Sequence, residues 1–370
     1  MKKAIYPLSA DPIHIGHLYN TEIATKLFDK LYVAIGNNPE KSYLFNIDER
    51  VYLTKKALSL ENVVVEKFSG LLRNYAKERG AEFLVRGARN EKDFDYEQKL
   101  AEFNNEYDLE TLILPSPNKF RNLSSAIIKA VAVEGGFVHE YVHPAVKQAL
   151  EERLWNVNLI AVTGNMGAGK TFFCQQFMNY MKNKGLEINH IDFDKLVHSL
   201  YKKSSPLYDQ TRKEIIQNFG NVFDGEELDR EKLSQITFGD DEKRETLAKI
   251  LRIPSMIQLE KTLRKMNGIV LVDAAYFVEY DMLPLVNYNV ILIGCDEKQR
   301  IARVLKRDNI DLVQLNKKLT AQLPYEKLEN KIRESQQLVN HGFLYEVDTT
   351  DKIDFDLLIK KLKENFPLIK

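Results

Sequence analysis

Short apolar runs rich in β-branched residues alternate with helical patterns along the whole chain, and this alternation limits the folds open to it. Such chains form parallel sheets with helices on both faces, so we predict the α/β class. Strands in the first part, enough for one doubly wound sheet, are predicted at residues 4–6, 31–35, 63–65, 83–85 and 112–114.

A second series begins at residues 159–162, where an apolar run enters a glycine-rich turn and then a helix over 170–181. At roughly 100 to 200 residues per domain, 370 residues suit two domains, predicted as 1–155 and 156–370. Asn46, with Glu49 three residues later, predicts a capped helix start for residues 47–60.

Composition excludes several classes of function. Lys plus Arg and Asp plus Glu each number 53, so the chain lacks the basic excess typical of nucleic-acid binders. Its longest apolar runs, such as 268–272 and 290–294, are far shorter than the roughly 18 residues of a membrane span. The two cysteines, Cys174 and Cys295, cannot build a disulfide framework. We therefore expect a cytoplasmic protein with small-molecule substrates and no nucleic-acid or membrane partner.

The turn after the first strand carries the first chemical motif, His14-Ile15-Gly16-His17. A helix N-terminus offers N–H groups and partial positive charge to a phosphate, and the two histidines add donors to phosphoryl oxygens. Two loop histidines can also merely cap a helix. The position between a strand and a helix favours the phosphate interpretation, and the motif resembles the HxGH signature of nucleotidyltransferases that move AMP from ATP to an acceptor.

Five further motifs follow in a set order. They are 38–41 (N-P-E-K), 69–72 (S-G-L-L), 85–89 (V-R-G-A-R), 93–97 (D-F-D-Y-E) and 123–125 (L-S-S). With them, residues 3–154 resemble bacterial phosphopantetheine adenylyltransferase, whose fold is Rossmann-like; Leu8 stands where that family usually has glycine. The resemblance implies that phosphopantetheine is contacted by Ser9, Lys41, Leu72 and Arg86. It implies that ATP is contacted by His17, Arg89, Glu97, Ser124 and Ser125.

The chemistry of that reaction suits these residue types. The acceptor is a phosphate with a second pKa of about 6, so its dianion can attack the α-phosphorus of ATP without a general base. The site must then supply charge neutralisation and in-line positioning, which are tasks for His17, Lys41 and Arg89 as the candidate catalytic residues. Arg86 adds positive charge, and Glu97 would orient the adenosine.

The second chemical motif, Gly164 to Thr171, fits G-x-x-x-x-G-K-T between a strand and a helix. Backbone N–H groups of such a P-loop, with its glycines Gly164, Gly167 and Gly169, wrap the phosphates of a nucleotide. Lys170 would reach the β- and γ-phosphates of ATP, and Thr171 would ligate Mg²⁺. Asp273, after a later apolar run, has the form expected beside that ion.

Residues 158–350 resemble dephospho-CoA kinase. The resemblance rests on the P-loop together with 191–198, 270–273, the arginines of 300–307, 319–324 and 340–342. It implies that Asp194 is the base for the ribose 3′-hydroxyl of dephospho-CoA, with Asp192 as second choice, because a hydroxyl must lose its proton. Arg303 and Asn340 are candidate nucleotide contacts, although Arg303 also fits a solvated helix face.

Three hypotheses follow. The first is a bifunctional enzyme of coenzyme A synthesis, for which the family resemblance suggests an oligomer formed through the first domain. The second is a nicotinamide mononucleotide adenylyltransferase fused to a ribosylnicotinamide kinase. The third keeps the adenylyltransferase but makes the second domain a nucleotide sensor without turnover. His139, His143, His190 and His198 show no metal-ligand spacing, so no zinc site is predicted.

Overall fold

The computed structural model describes residues 1–237, 240–308, 319 and 322–366. The chain folds into two compact units, Met1–Leu150 and Glu151–Lys370. The predicted domain boundary near residue 155 lies at the end of a helix, Pro144–Trp155, which begins in the first unit and ends in the second.

The first unit is a five-stranded parallel sheet with helices between its strands, as predicted. Its elements are β1 (Lys3–Leu8), α1 (Ile15–Leu27), β2 (Lys30–Ile35), α2 (Ile47–Ala57), β3 (Val63–Lys67), α3 (Leu72–Arg79), β4 (Phe83–Ala88), α4 (Glu91–Asn105), β5 (Glu110–Pro115), α5 (Ser125–Val133) and α6 (Pro144–Trp155). The strand order is β3-β2-β1-β4-β5, so the chain reverses its direction of winding between β1 and β4. Open sheets of this kind bind ligands at that reversal, beyond the carboxyl ends of the strands.

The helix start predicted at Asn46 is confirmed. Its side-chain oxygen accepts the Glu49 N–H at 2.9 Å, and the Glu49 carboxylate accepts the Asn46 N–H at 2.7 Å. Two of the otherwise unpaired N–H groups at the start of α2 are thereby satisfied.

The second unit also has a five-stranded parallel sheet, in the order β12-β11-β6-β10-β7. Its elements are β6 (Val157–Thr163), α7 (Lys170–Asn183), β7 (Ile188–Asp192), α8 (Phe193–Ser199), α9 (Tyr208–Phe219), β8 (Phe223–Asp224), β9 (Glu227–Leu228), α10 (Arg230–Thr237), α11 (Asp241–Leu263), β10 (Gly268–Asp273), β11 (Asn289–Gly294), α12 (Glu297–Asp308), α13 (Tyr325–Val339), β12 (Phe343–Asp348) and α14 (Phe355–Asn365). Every residue of β6 is buried, which explains its continuous apolar run. The α/β class is confirmed for both units.

Among the described residues, no helix combines the length and the apolar character that crossing a bilayer requires.

Candidate functional sites

The first site lies where β1 and β4 end side by side. The turn after β1 carries His14 and His17, while Arg86 lies near the end of β4 and Arg89 directly follows it. Residues far apart in sequence therefore meet at the point where such sheets bind ligands.

The two histidines form a stacked pair at the start of α1. The Nδ1 atom of His14 accepts the Gly16 N–H at 3.1 Å, and Nδ1 of His17 accepts the His14 N–H at 3.3 Å. Burial, reinforced by Arg89, lowers the pKa of His14 to about 4. Burial together with His14, Arg89 and Lys41 holds the pKa of His17 well below its usual value. Both rings are thus neutral at pH 7, and each carries its proton on Nε2, where it can be donated.

A buried carboxylate fixes the turn before these histidines. Asp11 accepts the backbone N–H groups of Leu44 and Phe45, both at 3.0 Å, and its Oδ2 lies 2.7 Å from Nζ of Lys129 on α5. One aspartate therefore ties together the loops after β1 and β2 and the helix α5. The backbone φ of Leu8 is not positive, so the backbone conformation at this position does not require glycine.

The start of α5 is joined to the same turn. Ser125 donates its hydroxyl hydrogen to the Pro12 carbonyl at 2.8 Å, and Ser124 caps α5 by accepting the Ile127 N–H at 3.2 Å. Both predicted ATP contacts therefore also have structural roles, and their hydroxyl oxygens lie beside the histidine turn.

Arg86 and Glu97 form a bidentate ion pair, with Nε–Oε2 at 2.5 Å and Nη2–Oε1 at 2.6 Å. The family resemblance implies contacts to different substrates for these two residues, and the structure brings them into contact with each other. Arg89 is held in turn by Asp93 at 3.0 Å and donates Nη1 to the Leu123 carbonyl at 3.2 Å. These hydrogen bonds therefore fix the orientation of both guanidinium groups at the site.

The predicted phosphopantetheine contacts are more open. Lys41 is exposed in the loop after β2, and Leu72 is the partly buried first residue of α3. Ser9 lies close to Tyr43, with 3.5 Å between their oxygens. Sequence reasoning missed the buried Arg50, which donates to the Ser9 carbonyl at 2.6 Å and to the Gly36 carbonyl at 3.0 Å. Arg50 thereby links the loops after β1 and β2.

The second site is built on the P-loop between β6 and α7. A Cβ on Gly164 would come within 2.3 Å of the Ile293 carbonyl oxygen, and its φ is +143°, so only glycine fits there. Lys170 donates to the Gly164 carbonyl at 2.8 Å, which places its ammonium group over the loop. Burial lowers the pKa of Lys170, while Asp273 and Asp194 oppose that shift.

Three carboxylates gather at and just after the ends of β7 and β10, and two of them, Asp273 and Asp194, act on that lysine. Asp273 accepts the Thr171 hydroxyl at 3.0 Å. Desolvation raises the pKa of Asp194; Asp273 and Asp192 add to that shift and Lys170 opposes it. Burial also acts to raise the pKa of Asp192, but hydrogen bonds from Lys195 outweigh it and hold that pKa below its usual value. Asp194 is therefore the better proton acceptor of the pair.

The P-loop is also held by residues from later in the chain. The Thr349 hydroxyl donates to the Ala168 carbonyl at 2.6 Å and accepts Nη1 of Arg303 at 3.1 Å. Gln322 accepts the Met166 N–H at 2.7 Å. Beside these contacts lies a cavity of about 1040 Å³, between the ends of β11 and β12 and the start of α13. Its size suits a small-molecule ligand.

Comparison with known proteins decides the family of each half. A family model described as dephospho-CoA kinase matches residues 158–342, and one described as cytidylyltransferase-like matches residues 5–131. Phosphopantetheine adenylyltransferase of Geotalea daltonii is 42% identical over 156 residues, covering 41% of this chain and 97% of the relative. The chain belongs to both families, dephospho-CoA kinase and phosphopantetheine adenylyltransferase. A solved dephospho-CoA kinase from Campylobacter jejuni shares 18% identity, covers 56% of this chain and 97% of its own, and superposes with a TM-score of 0.32.

One predicted residue of the kinase half lies away from the P-loop. Asn340 ends α13 in a left-handed conformation, three residues before β12 begins, whereas the P-loop lies at the opposite ends of the strands. A six-residue strand is about 20 Å long, so Asn340 lies about that far from the end of the sheet that carries the P-loop. The residue of this segment that contacts the P-loop is Thr349, directly after β12, whose hydroxyl donates to the Ala168 carbonyl. Thr320 and Ala321 of the predicted 319–324 motif lie outside the described residues.

Proposed function

We propose that this chain catalyses the last two steps of coenzyme A biosynthesis. The observation that carries the proposal is the presence, on one chain, of two family domains with consecutive reactions. Phosphopantetheine and ATP give dephospho-CoA and pyrophosphate. Dephospho-CoA and ATP then give CoA and ADP. Neither the nicotinamide hypothesis nor a purely sensory second domain accounts for both family memberships.

In the first reaction, the phosphate of phosphopantetheine attacks the α-phosphorus of ATP, and pyrophosphate leaves. His17 donates Nε2–H to a phosphoryl oxygen, because its Nδ1 is occupied by a backbone N–H. Lys41 and Arg89 neutralise charge that builds up in the transition state. Arg86, held by Glu97, binds the acceptor phosphate, so the Glu97 carboxylate positions Arg86 in addition to facing the adenosine.

In the second reaction, the ribose 3′-hydroxyl of dephospho-CoA attacks the γ-phosphorus of ATP. Asp194 accepts the hydroxyl proton, and Lys170 neutralises negative charge on the γ-phosphoryl group during its transfer. Arg303 would complete the nucleotide site. The Thr171 hydroxyl and Asp273 carboxylate are hard oxygen donors 3.0 Å apart, which fit Mg²⁺. When bound, this ion would neutralise negative charge on the phosphates of ATP.

Three further features of the proposal come from the sequence. The substrates are small molecules, with ATP serving both reactions. Assembly into an oligomer through the first domain and residence in the cytoplasm stay predictions. Both cysteines are free, which suits a reducing compartment.

The test is to incubate the purified chain with phosphopantetheine, ATP and Mg²⁺ and to follow dephospho-CoA and CoA separately by mass. We expect CoA as the end product. Dephospho-CoA that accumulates without CoA would contradict the second activity and favour a sensory domain. Absence of both products, with turnover of nicotinamide mononucleotide instead, would replace the whole proposal.

A further inference from the structure

A thiol, an imidazole and a carboxylate meet inside the second unit. They belong to Cys174, His190 and Asp273, and their potential ligand atoms all lie within 4.8 Å of one another. We call them the Cys-His-Asp cluster. The sequence predicts no zinc site, because its histidines show no ligand spacing; these three residues are 16 and 83 positions apart along the chain.

The fold explains why the three side chains converge. In the β10–β7 pairing, His190 is opposite Leu271, two residues before Asp273, so the imidazole and the carboxylate share one face of the sheet. The helix α7 packs on β7 and β10. Cys174 lies three residues after Thr171, on the same side of that helix, and Thr171 already contacts Asp273.

The His190 imidazole offers a nitrogen atom that is available to bind a metal ion. Its Nε2 is buried and makes no hydrogen bond to the part of the chain that the structure describes. Nε2 lies 3.6 Å from Oδ2 of Asp273. Ligand atoms on a tetrahedral zinc ion lie about 3.3 to 3.8 Å apart, so this pair is already at the spacing of two zinc ligands.

We propose that the Cys-His-Asp cluster is a binding site for zinc or a similar thiophilic divalent ion, and that such an ion inhibits the kinase half. Sulfur and nitrogen ligands select zinc over magnesium, which prefers oxygen. The Cys174 thiol loses its proton to solvent when the metal–sulfur bond forms. Three protein ligands leave one position for water or a phosphate oxygen.

Inhibition follows from the shared carboxylate, and this part rests on the proposed function. Asp273 is also the carboxylate that, with Thr171, fits Mg²⁺. An ion held by Cys174 and His190 draws Asp273 away from that position, so both ions cannot use it in the same geometry. The kinase activity then depends on which of the two ions, zinc or magnesium, is bound at the ends of β7 and β10.

Binding is tested with Co²⁺ as a spectroscopic substitute for zinc, on the full chain without nucleotide. We expect a near-ultraviolet thiolate-to-cobalt band at one equivalent, displaced by Zn²⁺. Cys174→Ser should abolish the band. His190→Asn should weaken binding by more than about 10-fold, because even the loss of a group that only hydrogen-bonds a metal ligand costs about 10- to 100-fold. Cys295→Ser, the matched control for the other free thiol, should keep it. A band that is absent, or that follows Cys295, overturns the site.

Inhibition is tested separately, with dephospho-CoA and Mg²⁺-ATP as substrates. Zn²⁺ should slow CoA formation by the native chain and by Cys295→Ser, and it should have at least tenfold less effect on Cys174→Ser and His190→Asn. Adenylyl transfer in the same samples should not respond to zinc. Equal inhibition of all four proteins would overturn the regulatory role. If no kinase activity exists, the proposed function fails, while the cobalt spectra still decide the site.

Discussion

His14 and His17 stack with their ring centroids 3.7 Å apart and their planes 24° from parallel. Each ring uses Nδ1 to accept a backbone N–H of the same turn. The arrangement fixes the tautomer as well as the position of both rings, so that Nε2–H donors are present before any phosphate binds. Preorganised donors of this kind cost no reorganisation at the moment of reaction.

The first prediction concerns that donor. His17→Ala should lower the rate of dephospho-CoA formation by about 10² to 10³, the usual effect of removing one charge-stabilising hydrogen bond. The measurement is the first reaction followed by mass. CoA formation from added dephospho-CoA is the internal control and should remain at the native rate. A variant that forms dephospho-CoA as fast as the native chain would show that His17 has no such role.

The second prediction concerns acid stability. Burial lowers the pKa of His14 from its ordinary value of 6.5 to about 4 in the folded chain. Between these values the unfolded chain binds a proton that the folded chain does not, so the free energy of unfolding falls as the pH drops from 7 towards 4. His14 alone should contribute about 2 kcal/mol of this loss at pH 5. His17 acts in the same direction.

Urea unfolding at pH 7 and pH 5 measures this effect, comparing the native chain with His14→Asn, whose side chain does not titrate. The variant should lose less stability between the two pH values, and asparagine can still cap the start of α1. Identical pH dependence in both proteins would mean that His14 is not neutralised by folding.

The third prediction separates the two candidate bases of the kinase half. Asp194→Asn should abolish CoA formation while ATP binding persists, because the amide cannot accept the ribose proton. Asp192 caps α8 by accepting the Lys195 N–H at 2.9 Å, and an asparagine can accept the same bond. Asp192→Asn should therefore retain most of the CoA-forming activity. The reverse result would make Asp192 the base.

Motifs that follow a single strand were predictable, because strand, turn and helix start are local in sequence. The histidine turn and the P-loop are both of this kind, as is the cap at Asn46. The α/β class follows from the same local alternation.

Contacts between distant segments were not predictable, since they depend on strand order and register. Arg50 reaches the Ser9 carbonyl across 41 residues, and the Cys174 thiol meets His190 only because β7 is next to β10 in the sheet. Arg86 and Glu97 are only 11 residues apart, but their pairing requires α4 to fold back over β4. A polar residue in a helix gives no sign of such a partner.

The position of Asn340 leads to the last prediction, which tests whether Thr349 holds the P-loop. Thr349→Val keeps the shape of the side chain but removes the hydroxyl that the Ala168 carbonyl and Nη1 of Arg303 share. Loss of a buried hydrogen bond costs about 1 to 3 kcal/mol, so kcat/KM for ATP in the kinase reaction should fall roughly tenfold. Asn340→Gly retains the left-handed turn that ends α13, and it should leave kcat/KM for ATP unchanged because Asn340 lies a full strand length from the P-loop end of the sheet. Steady-state kinetics with added dephospho-CoA measure both variants independently of the first reaction. If Asn340→Gly impairs ATP use and Thr349→Val does not, the nucleotide site must extend to the other end of β12.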